Sequence, residues 1–207
     1  LEFVGMESNV ELPGQSAVAP IEGVPKEDFE DGVPPEGWQA QDAAGQGVTW
    51  QTNEAYDRGN YTGSGLAAHV DSDENPDVPY DARLVSPMKT FDGETALSFD
   101  LNYQEYSGEE NFDLDVSTNN GETWTTVRSF EETGDYLSDG ENITITNETL
   151  SEYMETGQTF QVRFRYWTAE EAPWDWYAQV DNVAFQPTTT QFFTFGPTEG
   201  TVQPDST

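Results

Sequence analysis

The chain contains no cysteine, one histidine and two lysines (Lys26 and Lys89). Without cysteine there are neither disulfides nor thiolate metal sites. With His69 alone, multi-histidine metal centres are excluded, and a Ser/His/Asp triad has only one base to draw on. Basic residues are scarce throughout: 7 Lys and Arg stand against 40 Asp and Glu, a formal net charge of -33 over 207 residues. That balance argues against nucleic acid or an anionic membrane surface as a partner. No apolar run reaches the ~20 residues of a membrane-spanning helix, so membrane insertion is not expected. No glycine-rich phosphate loop is present either. The chain begins without a signal peptide or Met, so Leu1 is expected to open a processed piece of a longer precursor. Self-repulsion among so many carboxylates implies a saline or calcium-rich habitat, marine or halophilic.

What the chain has in quantity is aromatic residues: 12 Phe, 9 Tyr and 6 Trp. They fall on alternating positions. Between Phe160 and Phe185, Phe160, Val162, Phe164 and Tyr166 point one way, while Gln161, Arg163, Arg165 and Trp167 point the other. This is the period of a half-buried strand. Further on, Tyr177, Asp181, Val183 and Phe185 share a parity, which sets an acidic group in phase with an apolar face. A carboxylate leaving water needs a partner. Loop amides, an arginine or a calcium ion would each serve.

Other segments alternate in the same way: Ala96–Tyr103, Phe112–Thr118 and the run after the Asn-Gly turn at Asn119–Glu122, which predicts a hairpin. Short strands are also expected around Trp50, up to Val70 and over ARLVSPM, with one helix over Thr149–Thr156. Residues 1–25 read as a linker or N-terminal extension, with a short strand near Leu1–Val4. Residues 187–207 read as a Thr/Pro-rich tail whose FFTF run can add an edge strand. The expected fold is all-β: an antiparallel two-sheet jelly-roll sandwich with one short helix, over residues 26–186.

Several motifs have plain structural readings. His69 sits in an AAHV strand and is expected to do no chemistry. VSTNNGETW fits the hairpin known as the Asp box, with Asn119 in place of the Asp, and carries no enzymatic weight. Three Asn-x-Ser/Thr sequons, at Asn60, Asn142 and Asn147, are glycan sites only if the host glycosylates.

The order FEDG, PEGW, GQGVTW, LVSP, LSFDLNY, VSTNNGETW, LSEYMETGQTFQVRFRY, VDNVAF resembles the MAM-like jelly-roll family, which includes cleaved-adhesin and choice-of-anchor J domains and accessory domains of secreted M6-type metallopeptidases. The resemblance spans Lys26 to Gln186. It implies a non-catalytic extracellular module, secreted or on the cell surface, used in adhesion or binding. It also implies a structural calcium ion (Ca2+) near the Glu of the opening Phe-Glu and the Asp of the closing strand, here Glu30 and Asp181, with Asp71, Asp73 and Asp81 as candidates to complete the shell. At DAAGQG the chain departs from the acidic run of relatives and keeps only Asp42.

A carbohydrate, either a polysaccharide or a cell-surface glycan, is the expected ligand, with a neighbouring domain of the same precursor as another possible partner. Trp167, Trp174, Trp176 and Tyr177 can form a stacking platform, or they can cap one end of the core. Arg163 and Arg165 share a face and can grip an acidic ligand or neutralise nearby carboxylates. Two other functions stay open: a jelly-roll glycoside hydrolase or lyase using paired carboxylates, and a purely structural accessory domain of a secreted metallopeptidase.

Overall fold

Alternating aromatic and aliphatic side chains resolve into two antiparallel sheets facing each other across one core. The computed structural model describes residues 25–73, 78–106, 108–168 and 176–187. The strands are β1 (Lys26–Glu27), β2 (Gln39–Asp42), β3 (Gln51–Thr52), β4 (Ala68–Asp71), β5 (Tyr80–Val85), β6 (Lys89–Thr90), β7 (Thr95–Gln104), β8 (Asn111–Ser117), β9 (Thr125–Phe130), β10 (Glu141–Ile145), β11 (Thr159–Thr168) and β12 (Tyr177–Pro187). The first sheet runs β10-β7-β12-β4-β3, with β1 also paired to β12; the second runs β2-β5-β11-β8-β9, with β6 also paired to β11. The all-β, two-sheet jelly-roll reading therefore holds. The strands expected at Leu1–Val4 and at FFTF fall outside the described residues.

The inner faces follow the sequence period. Phe160, Val162, Phe164 and Tyr166 of β11 meet Leu97, Phe99, Leu101 and Tyr103 of β7, and all are buried. Phe164 receives the edge of Phe99 at 4.9 Å between centroids and stacks on Trp38 at 6.5 Å. Burying each such side chain contributes about 1.5–3 kcal/mol, and edge-on ring pairs add roughly 0.5–1.5 kcal/mol.

Two local readings shift. The α-helix is Asn147–Leu150, not Thr149–Thr156. Thr146 caps it by accepting from Thr149 N at 3.3 Å, and Ser151 Oγ donates back to Asn147 O at 2.7 Å, a local bond of the kind that competes with helix continuation. The segment around Trp50 pairs only at β3 before a 3-10 turn, Asn53–Tyr56. No helix of the described residues is long and apolar enough to cross a membrane. The Asp-box-like turn is structural as expected: Asn119 Oδ1 accepts from Thr123 N at 3.0 Å and Ser117 Oγ at 2.9 Å.

Candidate functional site

The outer face of the first sheet is unusual in being polar and yet covered. Along β12, Ala178 and Val180 enter the core, whereas Tyr177, Gln179 and Asp181 lie beneath loops and are also buried. His69 and Asp71 on β4, and Asn102 and Gln104 on β7, occupy the same layer. Their amides hold the cover down. Gln179 Nε2 donates to Gly59 O at 3.0 Å and its Oε1 accepts from Tyr61 N. Asn102 Nδ2 donates to Asp135 O and Ser138 O, and Gln104 Nε2 to Thr133 O. Buried polar side chains here replace water as partners of loop backbone.

Asp181 is buried, but for a different reason from the one its parity suggested. A bulge separates it from Ala184, with Asn182 at φ 54°. The extra residue resets the phase, so Val183 enters the core while Asp181 stays on the covered outer face. It is 2% exposed. Its donors are neutral: Asn60 Nδ2 at 3.0 Å and Asn182 N at 2.7 Å. Burial pushes its carboxyl up to about 6, opposed by those two hydrogen bonds, while the Asp100 charge adds to the rise and Lys26 opposes it.

Glu30 reaches the same loop from the other side. Its Oε1 accepts from Leu66 N at 3.0 Å. A Cβ on Gly65 would fall 1.8 Å from Glu30 Oε1, and one on Gly63 would fall 3.7 Å from Asp181 Oδ2. Glu30 therefore packs tightly on the glycine backbone of the segment between Asn60 and Leu66, and Asp181 lies in ordinary contact range of it. The ligands available here are the two carboxylate groups, hard oxygens that suit calcium rather than a softer metal; Asn60 turns its Nδ2 to Asp181 and its Oδ1 to Thr62. No group of three or more His, Cys, Asp or Glu converges among the described residues. An ion held at Glu30 and Asp181 would thus take the rest of its shell from backbone or water oxygen.

Asp71, Asp73 and Asp81, the other candidates for that shell, are each bonded by an arginine. Arg58 bonds Asp71 at 2.8 Å and Asp73 at 3.1 Å. Burial works to raise Asp71, but His69 Nε2 at 3.6 Å, a hydrogen bond from the Asp73 amide and the Arg58 charge keep it below the usual carboxylate range. Asp73 is raised, by burial and by Asp71. Asp81 lies in the second sheet, between Arg83 and Arg165. Despite burial, those two partners bring it down to about 2.

The expected ligand residues divide between two surfaces. Arg163, Arg165 and Trp167 share the outer face of the second sheet, and the arginines there are neutralised. Arg163 bonds Asp115 at 2.6 Å beneath the Trp124 ring, and Arg165 bonds Asp81 at 2.8 Å and lies over Trp167 at 4.4 Å. Trp167 Nε1 donates to Asp113 Oδ2 at 2.7 Å. Trp176 and Tyr177 belong to the opposite sheet. Tyr177 is buried, stacks on His69 at 5.3 Å and accepts from Leu137 N at 2.9 Å; burial drives its phenol far up. It is support, not platform. Trp174 lies outside the described residues.

Trp176 stacks on Tyr136 at 4.2 Å and meets Tyr106 at 5.5 Å; Tyr136 is 50% exposed and Tyr106 62%. Neither tyrosine stood out in the sequence, although the turn-rich TGDYLSDG around Tyr136 marks a displayed loop. His69 is fully buried among the rings of Tyr56, Tyr61 and Tyr177, and burial lowers its basicity.

No protein-family model and no curated protein matches the chain. Among solved structures, it is similar to three cleaved adhesin domains of Lys-gingipain, K1 and K3 being from Porphyromonas gingivalis. The K1 domain superposes with a TM-score of 0.59 at 19% identity, covering 80% of this chain and 99% of that one. The K3 domain gives 0.55 at 18%, covering 79% and 98%. The K2 domain gives 0.54 at 18%, covering 78% and 98%. The shared property at this identity is the fold.

Proposed function

We propose that the chain is a non-catalytic, extracellular binding and adhesion module of a larger secreted or surface protein, with carbohydrate as its ligand and calcium as a structural ion at Glu30 and Asp181. The observation that carries the reading is the aromatic group at one end of the first sheet, where the half-buried Trp176 is flanked by the exposed Tyr136 and Tyr106. Aromatic faces turned to solvent can stack on the apolar faces of sugar rings, and a contiguous exposed apolar patch marks an interaction site. Catalysis by acid–base pairs is disfavoured, because Asp71, Asp81 and Asp115 are held by arginines and Asp113 by Trp167 and Ser129. His69 is too deeply enclosed to reach a substrate. A polysaccharide array read beside a reducing-end hydrolysis assay tests this. Binding without turnover supports the module, turnover replaces it with a hydrolase, and silence in both leaves only a structural role.

A further inference from the structure

We propose that the sugar sits in the cleft between the segments 60–63 and 137–140, beside the exposed Tyr136 that precedes Leu137 in the chain, and that this subsite selects an uncharged glycan. The inference rests on the carbohydrate reading and locates it. The cleft has a volume of about 330 Å³, within the roughly 300–1,000 Å³ of small-ligand sites. Its polar lining is hydroxyl and one carboxylate, from Thr62, Ser138 and Asp139, with Tyr61 and Leu137 the apolar members; the Asn60 amide is taken up by Leu66 O, Asp181 and Thr62 and shapes the floor. Hydroxyl and carboxylate groups of this kind pair with sugar hydroxyls. No basic side chain lines the cleft, and the chain carries a formal charge of -33, so a uronate or sulfated sugar meets repulsion with no side-chain counter-charge.

The wall is built in advance. Leu137 and Asp139 hold positive φ, 56° and 21°, which non-glycine residues adopt only when surrounding structure enforces it. The enforcement is visible: Tyr177 Oη accepts from Leu137 N, and Asn102 holds Asp135 O and Ser138 O from below. Gly140 N donates to Tyr61 O at 2.8 Å, tying the two sides of the cleft together. A Cβ on Gly140 would meet Leu101 O at 2.9 Å, so the close approach requires glycine there. The cleft residue Tyr61 and the exposed Tyr136 are linked through a shared buried ring. Tyr136 and Tyr61 both contact the ring of Tyr177, at 6.4 and 5.3 Å, and Tyr136 extends the surface to Trp176. A ligand held this way loses little to ordering of the protein.

Affinity electrophoresis of the whole chain in gels containing hydroxyethyl cellulose, galactomannan, starch or alginate tests the site. Retardation is expected with at least one of the three uncharged polymers and not with alginate. Tyr136→Ala, an exposed position, and Thr62→Trp, which fills the cleft, should each weaken it by about tenfold or more. Trp167→Ala, on the opposite sheet, should leave it unchanged. Loss in Trp167→Ala with retention in both cleft variants overturns the site while the binding reading survives. Retardation by alginate alone overturns the choice of an uncharged sugar. Retardation by none of the four overturns both.

Discussion

Asp181 on β12 stands directly across the ladder from Asp100 on β7, and Asn182 bonds both. Its backbone N donates to Asp181 Oδ1 and its Nδ2 to Asp100 Oδ2, each at 2.7 Å, while its Oδ1 accepts from Lys26 Nζ. Two like charges opposed on neighbouring strands destabilise the pair, and the covered position of Asp181 increases the conflict. With its folded pKa raised from 3.8 to about 6, the native state binds this proton more tightly than the unfolded chain does. Stability from this group is present below about pH 4 and lost as pH rises through about 6, on the order of 2–3 kcal/mol in all. Urea unfolding in EDTA at pH 4.5 and 7 should show that loss in the native chain, and a flatter response in Asp181→Asn. Equal pH responses in the two proteins would sink the assignment.

Calcium should relieve the same conflict. A ligand that binds only the folded state raises stability by mass action, so EDTA is expected to lower the melting temperature and calcium to restore it. Asp181→Ala should abolish that response. Asp113→Ala should retain it, since the Asp113 carboxylate serves Ser129 and Trp167 in the other sheet. A response that persists in Asp181→Ala puts the ion elsewhere.

Glycine at position 65 offers a finer test of Glu30. Gly65 has φ +83° and no room for a Cβ beside the Glu30 carboxylate; Gly45 has a similar φ of +70° with nothing within 4 Å. Alanine at either site carries the same backbone penalty, about 1–3 kcal/mol, but only Gly65→Ala displaces Glu30. The melting-temperature response to calcium should therefore weaken in Gly65→Ala and stay intact in Gly45→Ala. Identical responses would separate Glu30 from the ion.

These residues show where the sequence could be read and where it stopped. Period-two alternation located β7, β8 and β11 and their inner faces, because an inner face must be apolar at every second residue. It also drew attention to Asp181. What it could not show was the bulge at Asn182, since one inserted residue looks like continuing alternation until hydrogen bonds are known. Nor could it assign partners: with 40 acidic residues, which of them meet the few arginines is decided by the folded sheet, where Arg163 bonds Asp115 directly across the ladder but Arg165, opposite Asp113 in register, bonds Asp81 instead. Tyr106 and Tyr136 come from separate loops that only the folded chain brings to Trp176.

The Arg163–Asp115 pair predicts the largest single loss. Both groups are buried, and two guanidinium nitrogens of Arg163 reach Asp115 Oδ2, at 2.8 and 2.6 Å. Asp115→Ala leaves Arg163 charged and without its carboxylate, which should cost about 3–5 kcal/mol in denaturant unfolding. The double variant Asp115→Ala/Arg163→Met should recover part of this, because no orphaned charge remains. Additive losses would mean that the pair is not coupled.

Salt should raise stability, but from particular places. The outer face of the second sheet sets Arg83, Arg163 and Arg165 among Asp81, Asp113 and Asp115, so it is locally neutral and gains little from screening. Around Glu105 no such compensation operates. Its pKa is raised by burial first and then by Glu110, Glu132 and Glu131, the sign of carboxylates that repel one another. A folded-state pKa above the unfolded value means that this group favours folding at low pH and opposes it once ionised. Raising NaCl shortens the Debye length to about 3 Å at 1 M and should relieve the repulsion without touching the arginine-held pairs. The melting temperature at pH 7 in EDTA is therefore expected to climb with salt, and Glu131→Gln to start higher and climb less. A flat salt response in the native chain would mean that its charge does not limit stability. An equal climb in the variant would place the repulsion elsewhere on the surface.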